Sequence, residues 1–331
     1  MGDEFYIRPG TGDPFRELSA PHVGPPVSWS FGQPRRRWFN SPVFHCLLFL
    51  LTFLTTLIVG VHIALNYKGN FPAFDWDISR AFFAGILHNP AMLKLGLPFS
   101  FTLLSILLAH ELGHYFTCRY YGIQASYPYF IPAPTLIGTM GAFIRIKTPI
   151  TTRRALFDIG ISGPLAGFIV AIPALILATL SSQAVTPINI PDTIKLGNPL
   201  AIVLLGKILR PGLNAASISL HPIGCGVWVG LFATALNLLP MGQLDGGHIL
   251  FAVLGERHRI VSRGLTLALV PLGIFCWPGW MVWAAILLVL GLRHPRVMIP
   301  SEPLGKVRKA LALVGALIFL LTFVPTPFAV R

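Results

Sequence analysis

Long apolar runs separated by short clusters of charge, proline and glycine set the pattern of this chain. Residues 43–65 carry no Asp, Glu, Lys or Arg, and about twenty helical residues cross a hydrocarbon core of about 30 Å, so a first span is expected there. Further spans are expected over residues 95–119, over 155–180 after Arg153 and Arg154, and over 225–237. The fourth breaks into Leu238-Leu239-Pro240-Met241-Gly242-Gln243-Leu244-Asp245-Gly246-Gly247, beyond which residues 248–254 are expected to resume a helix. The apolar run 265–292 is interrupted at Trp277-Pro278-Gly279-Trp280, which fits two short spans joined outside or one kinked helix; Arg293, His294 and Arg296 at its end favour two. With a last span over 310–328, the pattern predicts an all-α polytopic membrane protein of about seven transmembrane helices.

The remaining segments do not read as spans. Residues 1–42 mix Pro, Gly and charge without periodicity and end in Arg35-Arg36-Arg37, so a mostly irregular cytoplasmic arm is expected, followed by one polytopic domain over 43–331. The loop 66–94, with Asp75, Trp76, Asp77 and several Phe, suits the outer interface. Between residues 120 and 154, Tyr127-Pro128-Tyr129-Phe130-Ile131-Pro132-Ala133-Pro134 precedes Gly138-Thr139-Met140-Gly141-Ala142-Phe143-Ile144-Arg145-Ile146-Lys147, too much Pro and Gly for a spanning helix. A re-entrant β-hairpin beside the active site and an interfacial loop both fit, since irregular backbone survives at membrane depth only where protein or water covers it. Residues 181–222 read as an external loop with a short interfacial helix near 199–209, and Gly163 and Gly167 would let a neighbouring helix approach closely.

Composition narrows the class. Of 331 residues, 54% are hydrophobic and 11% charged, far from the usual soluble balance. The net charge of +13 is then the bias of cytoplasmic loops and attraction to anionic lipid, so the lipid bilayer is an expected partner and nucleic acid is not. Cys46, Cys118, Cys225 and Cys276 are scattered singly and read as small buried hydrophobes. No cleavable signal is apparent in the polar first forty residues, which makes the first span an uncleaved anchor.

Chemistry concentrates in one stretch, His110-Glu111-Leu112-Gly113-His114. Two imidazoles four residues apart share one helix face and can grip one zinc ion, with the glutamate beside it. At about 1.5 Å per residue His110 lies about 22 Å from the start of its span, toward the cytoplasmic side but at lipid depth, where such groups are costly and mark function. A catalytic zinc needs a third protein ligand, and Asp245 is the best candidate, because a carboxylate in an apolar region is costly unless bound. The topology brings spans two and four to the same side. Glu111 then has the place of a general base toward the attacking water, and Asn237 could donate to the developing oxyanion or cap the end of span four. His45, His62, His88, His258 and His294 fit interfacial or loop positions; His221 is ambiguous, and His248 could support the ligands from behind.

These motifs together resemble the site-2 protease family of intramembrane zinc metalloproteases. Pro128-Tyr129-Phe130-Ile131-Pro132, Gly138-Thr139-Met140-Gly141-Ala142 and Ser162-Gly163-Pro164-Leu165-Ala166-Gly167 are similar to its compact branch, which includes plant chloroplast EGY-like homologues and many bacterial proteins, and the likeness covers about residues 95–300. The resemblance implies one Zn²⁺ held by His110, His114 and Asp245, Glu111 as base, Asn237 as a substrate or transition-state contact, and a catalytic core over about 95–260. It implies a zinc-dependent endopeptidase that cuts transmembrane segments of other proteins, releasing regulators or clearing remnants. No stretch resembles the PDZ insertion or CBS pair of better-known relatives. A CAAX-type protease would call for a Glu as third ligand, which no downstream span offers; a metal transporter or inactive scaffold is the rival from another class, against which the retained Glu111 speaks. Because a helical substrate hides its peptide groups, residues 138–147 are expected to offer a strand edge to the unwound substrate. Asp3, Glu4, Asp13 and Glu17 do not suit a transit peptide, so a bacterial inner membrane with a cytoplasmic N-terminus is expected.

Overall fold

Proline opens the helices over the main apolar runs. It occupies one of the first two positions of α1 (Pro42–Gly69), of α3 (Leu97–Tyr120) and of α6 (Pro222–Asn237), where its missing N–H is one the helix leaves unbonded anyway. The computed structural model describes residues 41–74, 80–184, 194–212, 218–290 and 303–330. The expected N-terminal arm up to residue 40, the interfacial Asp75, Trp76 and Asp77, and the cluster Arg293, His294 and Arg296 lie outside the described residues.

In chain order, α2 (Arg80–His88) and a 3₁₀ turn (Pro90–Gly96) stand between α1 and α3. A hairpin of β1 (Tyr129–Pro132) and β2 (Thr139–Phe143) leads to α4 (Arg153–Ser181), whose start is capped by Thr152 Oγ1 accepting from the Ala155 N–H at 3.2 Å. Then come β3 (Gln183–Ala184), β4 (Ile194–Leu196), α5 (Leu200–Leu209), β5 (Ile218–Ser219), α6, α7 (Asp245–Leu254), α8 (His258–Phe275), α9 (Gly279–Leu290), α10 (Gly305–Thr322) and β6 (Phe328–Val330). The short strands pair β3 with β5 and β4 with β6, both antiparallel, so the chain is mostly helical rather than purely so. Among the described residues three helical stretches, Pro42–Gly69, Pro90–Tyr120 and Arg153–Ser181, are long and apolar enough to cross a membrane.

The packing is inverted with respect to water. Large apolar side chains such as Leu50 and Leu54 of α1, Ile169 and Leu177 of α4 and Val282 and Leu288 of α9 point outward, while Thr52, Thr56, Ser100, His110, Glu111 and His114 are buried. Thr56 Oγ1 and Ser100 Oγ share a hydrogen bond of 2.6 Å that ties α1 to α3. At the centre α3, α4 and α6 pack against one another, with Phe99, Leu103 and Trp228 filling one side and Ile106, Ala171 and Leu231 another. Along α4, α10 and α7 meet through Ile161, Ile249 and Ile318.

The hairpin stands beside α1. Tyr129 pairs with Phe143 and Phe130 with Ala142, and the Tyr129 ring lies 4.2 Å from that of His45 in the first turn of α1. The tip reaches ten residues further down, where Thr55 Oγ1 donates to the Gly138 carbonyl at 2.6 Å. Gly138 has φ 77°, and a Cβ there would stand 2.8 Å from the Thr55 backbone, so only glycine fits. While β1 lies along α1, β2 turns toward α3.

Several expectations need correction. The second helix of the Pro240 break resumes at Asp245, not at residue 248, because an aspartate in the first turn suits the positive end of the helix dipole. As favoured, the described part of the run 265–292 is two helices, and Met281 of α9 packs over Gly273 of α8, so they lie side by side. The loop 66–94 contains α2 and the 3₁₀ turn. His45 and His258, expected at interfacial or loop positions, lie at helix starts and are buried by protein: His258 Nδ1 lies 2.8 Å from the Gly255 carbonyl and its ring edges onto Phe251. Of the cysteines, Cys118 and Cys225 are buried as expected, whereas Cys46 is exposed and Cys276 intermediate.

Candidate metal centre

One turn of α3 separates His110 from His114, so both rings leave the same face, with centroids 4.9 Å apart. That face looks onto α4 and onto the first residue of α7. His110 Nε2 lies 3.1 Å and His114 Nε2 3.2 Å from the same oxygen, Oδ2 of Asp245. The three side chains offer ligand atoms within 4.8 Å of one another, a group that could hold a metal ion.

The chemistry of this donor set fits zinc. Ligands bonded to a tetrahedral zinc at about 2.0–2.1 Å lie about 3.3 Å from one another, close to the two histidine–aspartate separations found here. His114 Nδ1 lies 2.7 Å from the carbonyl of Ile159, an acceptor only, so that nitrogen carries the proton and Nε2 presents its lone pair toward Asp245. Two imidazole nitrogens and a carboxylate, with both rings buried and 16% of the Asp245 side chain still exposed, leave a side from which water can enter.

Close packing is what brings the rings this near to α4. A Cβ at Gly163 would overlap the His114 imidazole, and one at Gly167 would stand 3.3 Å from His110 Cβ. The two glycines expected to admit a neighbouring helix do so, and what they admit is the pair of histidine side chains. Glu111, also buried, lies within electrostatic reach of His114 and Asp245 and close to the backbone of Ile144, just past β2. Asn237, the last residue of α6, places Nδ2 3.3 Å from His110 Nε2.

All five residues expected at the site therefore meet in one place. Of the two ambiguous histidines, His248 lies on α7 against Gly160 of α4, at the back of the site. His221 is remote: its Nδ1 accepts from the Ile223 N–H at 3.3 Å and caps α6, and burial lowers its basicity below the usual imidazole range. Sequence reasoning missed the Ile159 carbonyl and the Ile144 backbone. Neither leaves a mark in residue type, although the run from Gly160 to Gly167 signalled that something must come close to α4.

Comparison with known proteins bears on this arrangement. A family model described as Peptidase family M50 matches residues 98–276, more than half of the chain, from α3 to the end of α8. The chain is 30% identical to "Probable zinc metalloprotease EGY1, chloroplastic" of Arabidopsis thaliana over 94% of its own length and 55% of that protein's. It is 31% identical to "Probable zinc metalloprotease EGY2, chloroplastic" of the same plant over 78% of this chain and 46% of the relative, and 25% identical to "Probable zinc metalloprotease EGY3, chloroplastic" of Oryza sativa subsp. indica over 69% and 42%. The chain thus spans about half the length of the curated relatives it matches. With His110, His114, Asn237 and Asp245 all inside the matched residues, this chain belongs to peptidase family M50, the membrane-embedded site-2 protease family.

Proposed function

We propose that the chain is a zinc-dependent endopeptidase that hydrolyses peptide bonds in or near transmembrane segments of other membrane proteins, to release regulators or clear membrane remnants. The observation that carries this reading is the convergence of His110 Nε2, His114 Nε2 and an Asp245 carboxylate oxygen beside buried Glu111, inside a bundle whose outer surface is apolar.

His110, His114 and Asp245 would hold the ion. When bound, zinc polarises the substrate carbonyl and makes water a nucleophile near neutral pH. Glu111 takes one proton from the attacking water as its oxygen bonds to the carbonyl carbon, and returns that proton to the amine nitrogen as the C–N bond breaks. The Asn237 amide, within reach of the same centre, donates to the carbonyl oxygen as negative charge develops on it.

Substrate enters as a strand. The Ser126 N–H donates to the Arg145 carbonyl at 2.9 Å and the Lys147 N–H to the Gln124 carbonyl at 2.7 Å, so Arg145 and Lys147, past β2, face the segment that precedes β1. Alternation turns the backbone groups of Ala142 and Ile144 to the opposite edge, the one next to Glu111. An unwound substrate pairing with that edge would lie across the metal centre. Ala142→Pro removes an outward donor without touching the β1 ladder. Turnover should fall at least about tenfold with zinc content unchanged; wild-type turnover of a transmembrane peptide would sink the strand-addition idea.

The topology that accompanies this reading has seven spans, namely α1, the 3₁₀ turn with α3, α4, α6, α8, α9 and α10, in one domain over residues 43–331. The hairpin is re-entrant: its tip meets Thr55, about 20 Å along α1 from Pro42. A bacterial inner membrane gains no support from the relatives, whose names place them in chloroplasts, and the reading keeps only a multi-pass integral membrane protein. The whole proposal is tested with the full chain in lipid nanodiscs and a panel of single-span peptides. Cleavage inside a span should vanish on chelation and return with stoichiometric zinc, whereas chelator-insensitive cleavage, or none with zinc bound, would overturn it.

A further inference from the structure

Arg308 lies in the first turn of α10, beyond the residues that match the family model. Its guanidinium grips Asp158 with two parallel bonds, Nε to Oδ1 at 2.9 Å and Nη2 to Oδ2 at 2.7 Å. The Tyr121 hydroxyl donates to the same Oδ2 at 2.5 Å, and Arg308 Nη2 also donates to the Tyr121 oxygen at 3.3 Å. The carboxylate and guanidinium are only 23% and 28% exposed, so this trio is shielded far better than an ion pair on an open surface. Burial, together with the bond to Asp158, raises the Tyr121 hydroxyl above the usual phenol range and keeps it a donor.

The position of the trio matters more than its strength. Tyr121 stands about two turns past His114 on the end of α3, and Asp158 is the residue before Ile159, whose carbonyl accepts from His114 Nδ1. Ser162 Oγ donates to that same carbonyl at 2.9 Å, so its direction is already set from within α4. What α4 cannot set alone is where α3 stands against it. Fixing Tyr121 to Asp158 pins the two helices at one register, next to the bond that decides the His114 tautomer. From the other side, Ile318 of α10 and Leu304 just before it pack against Ile161 of α4 and Ile249 of α7, the helix that begins with Asp245.

We propose that Arg308 is a positioning residue for the metal centre: by clamping Asp158 to Tyr121 it holds the α3–α4 register that offers the Ile159 carbonyl to His114 and aims His114 Nε2 at Asp245. The inference rests on His110, His114 and Asp245 being the zinc ligands. A helix outside the family-matched segment thereby completes the centre without touching metal or substrate. Loss of a partner that orients a histidine ligand costs about 10–100-fold in metal affinity.

The test uses the full chain in nanodiscs as wild type, Arg308→Ala, Arg308→Lys and Tyr121→Phe. The last removes one oxygen, leaves the packing, and keeps the result readable if an Arg308 variant does not fold. Three quantities are read: the chelator concentration that strips half of the zinc, the visible absorption of the cobalt-substituted protein, and the thermal midpoint of the metal-free protein. Arg308→Ala and Tyr121→Phe should lose zinc at about 10–100-fold less chelator with an altered cobalt spectrum, Arg308→Lys should fall between, and the metal-free midpoints of Tyr121→Phe and wild type should agree. Unchanged zinc retention and an unchanged cobalt spectrum would overturn the inference. So would a lowered metal-free midpoint with both metal readouts intact, which assigns the trio to packing alone. Wild type that takes up no stoichiometric metal would overturn the ligand assignment itself, and this inference with it.

Discussion

Glu111→Gln should lower the cleavage rate of a transmembrane substrate by about 10²–10⁴-fold while zinc remains bound at one ion per chain. Glutamine has the size of glutamate, but its amide cannot take a proton from water. The ligand atoms come from His110, His114 and Asp245, so metal content should not follow the loss of rate. Asp245→Ala should fail for the opposite reason. It removes the oxygen toward which both Nε2 atoms point, so zinc itself should be released and activity should follow. Metal analysis together with single-turnover cleavage separates the two variants. A Glu111→Gln protein that cleaves at the wild-type rate would remove Glu111 from the mechanism, whereas wild type that binds zinc and cleaves nothing would return the chain to the transporter or scaffold reading.

What could be read without coordinates follows physical rules that act over a few residues. His110 and His114 were legible because four residues return a helix to the same face, and Asp245 because a carboxylate in an apolar run demands a partner. The start of α7 was not, since Gly246 and Gly247 read as part of a break. In the fold they press the chain against the carbonyls of Leu238 and Gly242, where a Cβ would collide, and the helix already includes them. The hairpin was legible as non-helical backbone from its prolines and glycines, but its place along α1 depends on Thr55 reaching the Gly138 carbonyl, a contact between residues 83 apart. Strands of two or three residues, such as β3 and β4, are too short for alternation to reveal. The support of the site was hidden for a different reason: the Ile159 carbonyl and the Ile144 backbone are main-chain groups, which every sequence supplies at every position.

The same contrast yields a prediction of unusual sign. Alanine is favoured over glycine in a helix interior by about 1 kcal/mol, so Gly163→Ala should strengthen α4 if nothing packed against the glycine. The structure requires the opposite for the metal site. A methyl at position 163 would overlap Nε2, Cε1 and Cδ2 of the His114 ring, and both Gly163 and Ile159, which receives the ring's Nδ1 proton, lie on the same turn of α4. The ring would have to swing away, which breaks its hold on Ile159 and takes Nε2 off the Asp245 oxygen. Gly163→Ala should therefore lower zinc affinity at least about 100-fold and turnover with it. Gly167→Ala is the internal control: its methyl would meet His110 Cβ at 3.3 Å and Nδ1 at 3.5 Å, a tight but tolerable contact, so most of the zinc should stay. Equal zinc binding by Gly163→Ala and wild type would mean that the ring does not occupy this notch. If instead the two variants part as expected, the small-residue spacing that membrane helices use for mutual approach serves here to seat a metal ligand, and the length of one methyl group separates a packed helix pair from a metal centre.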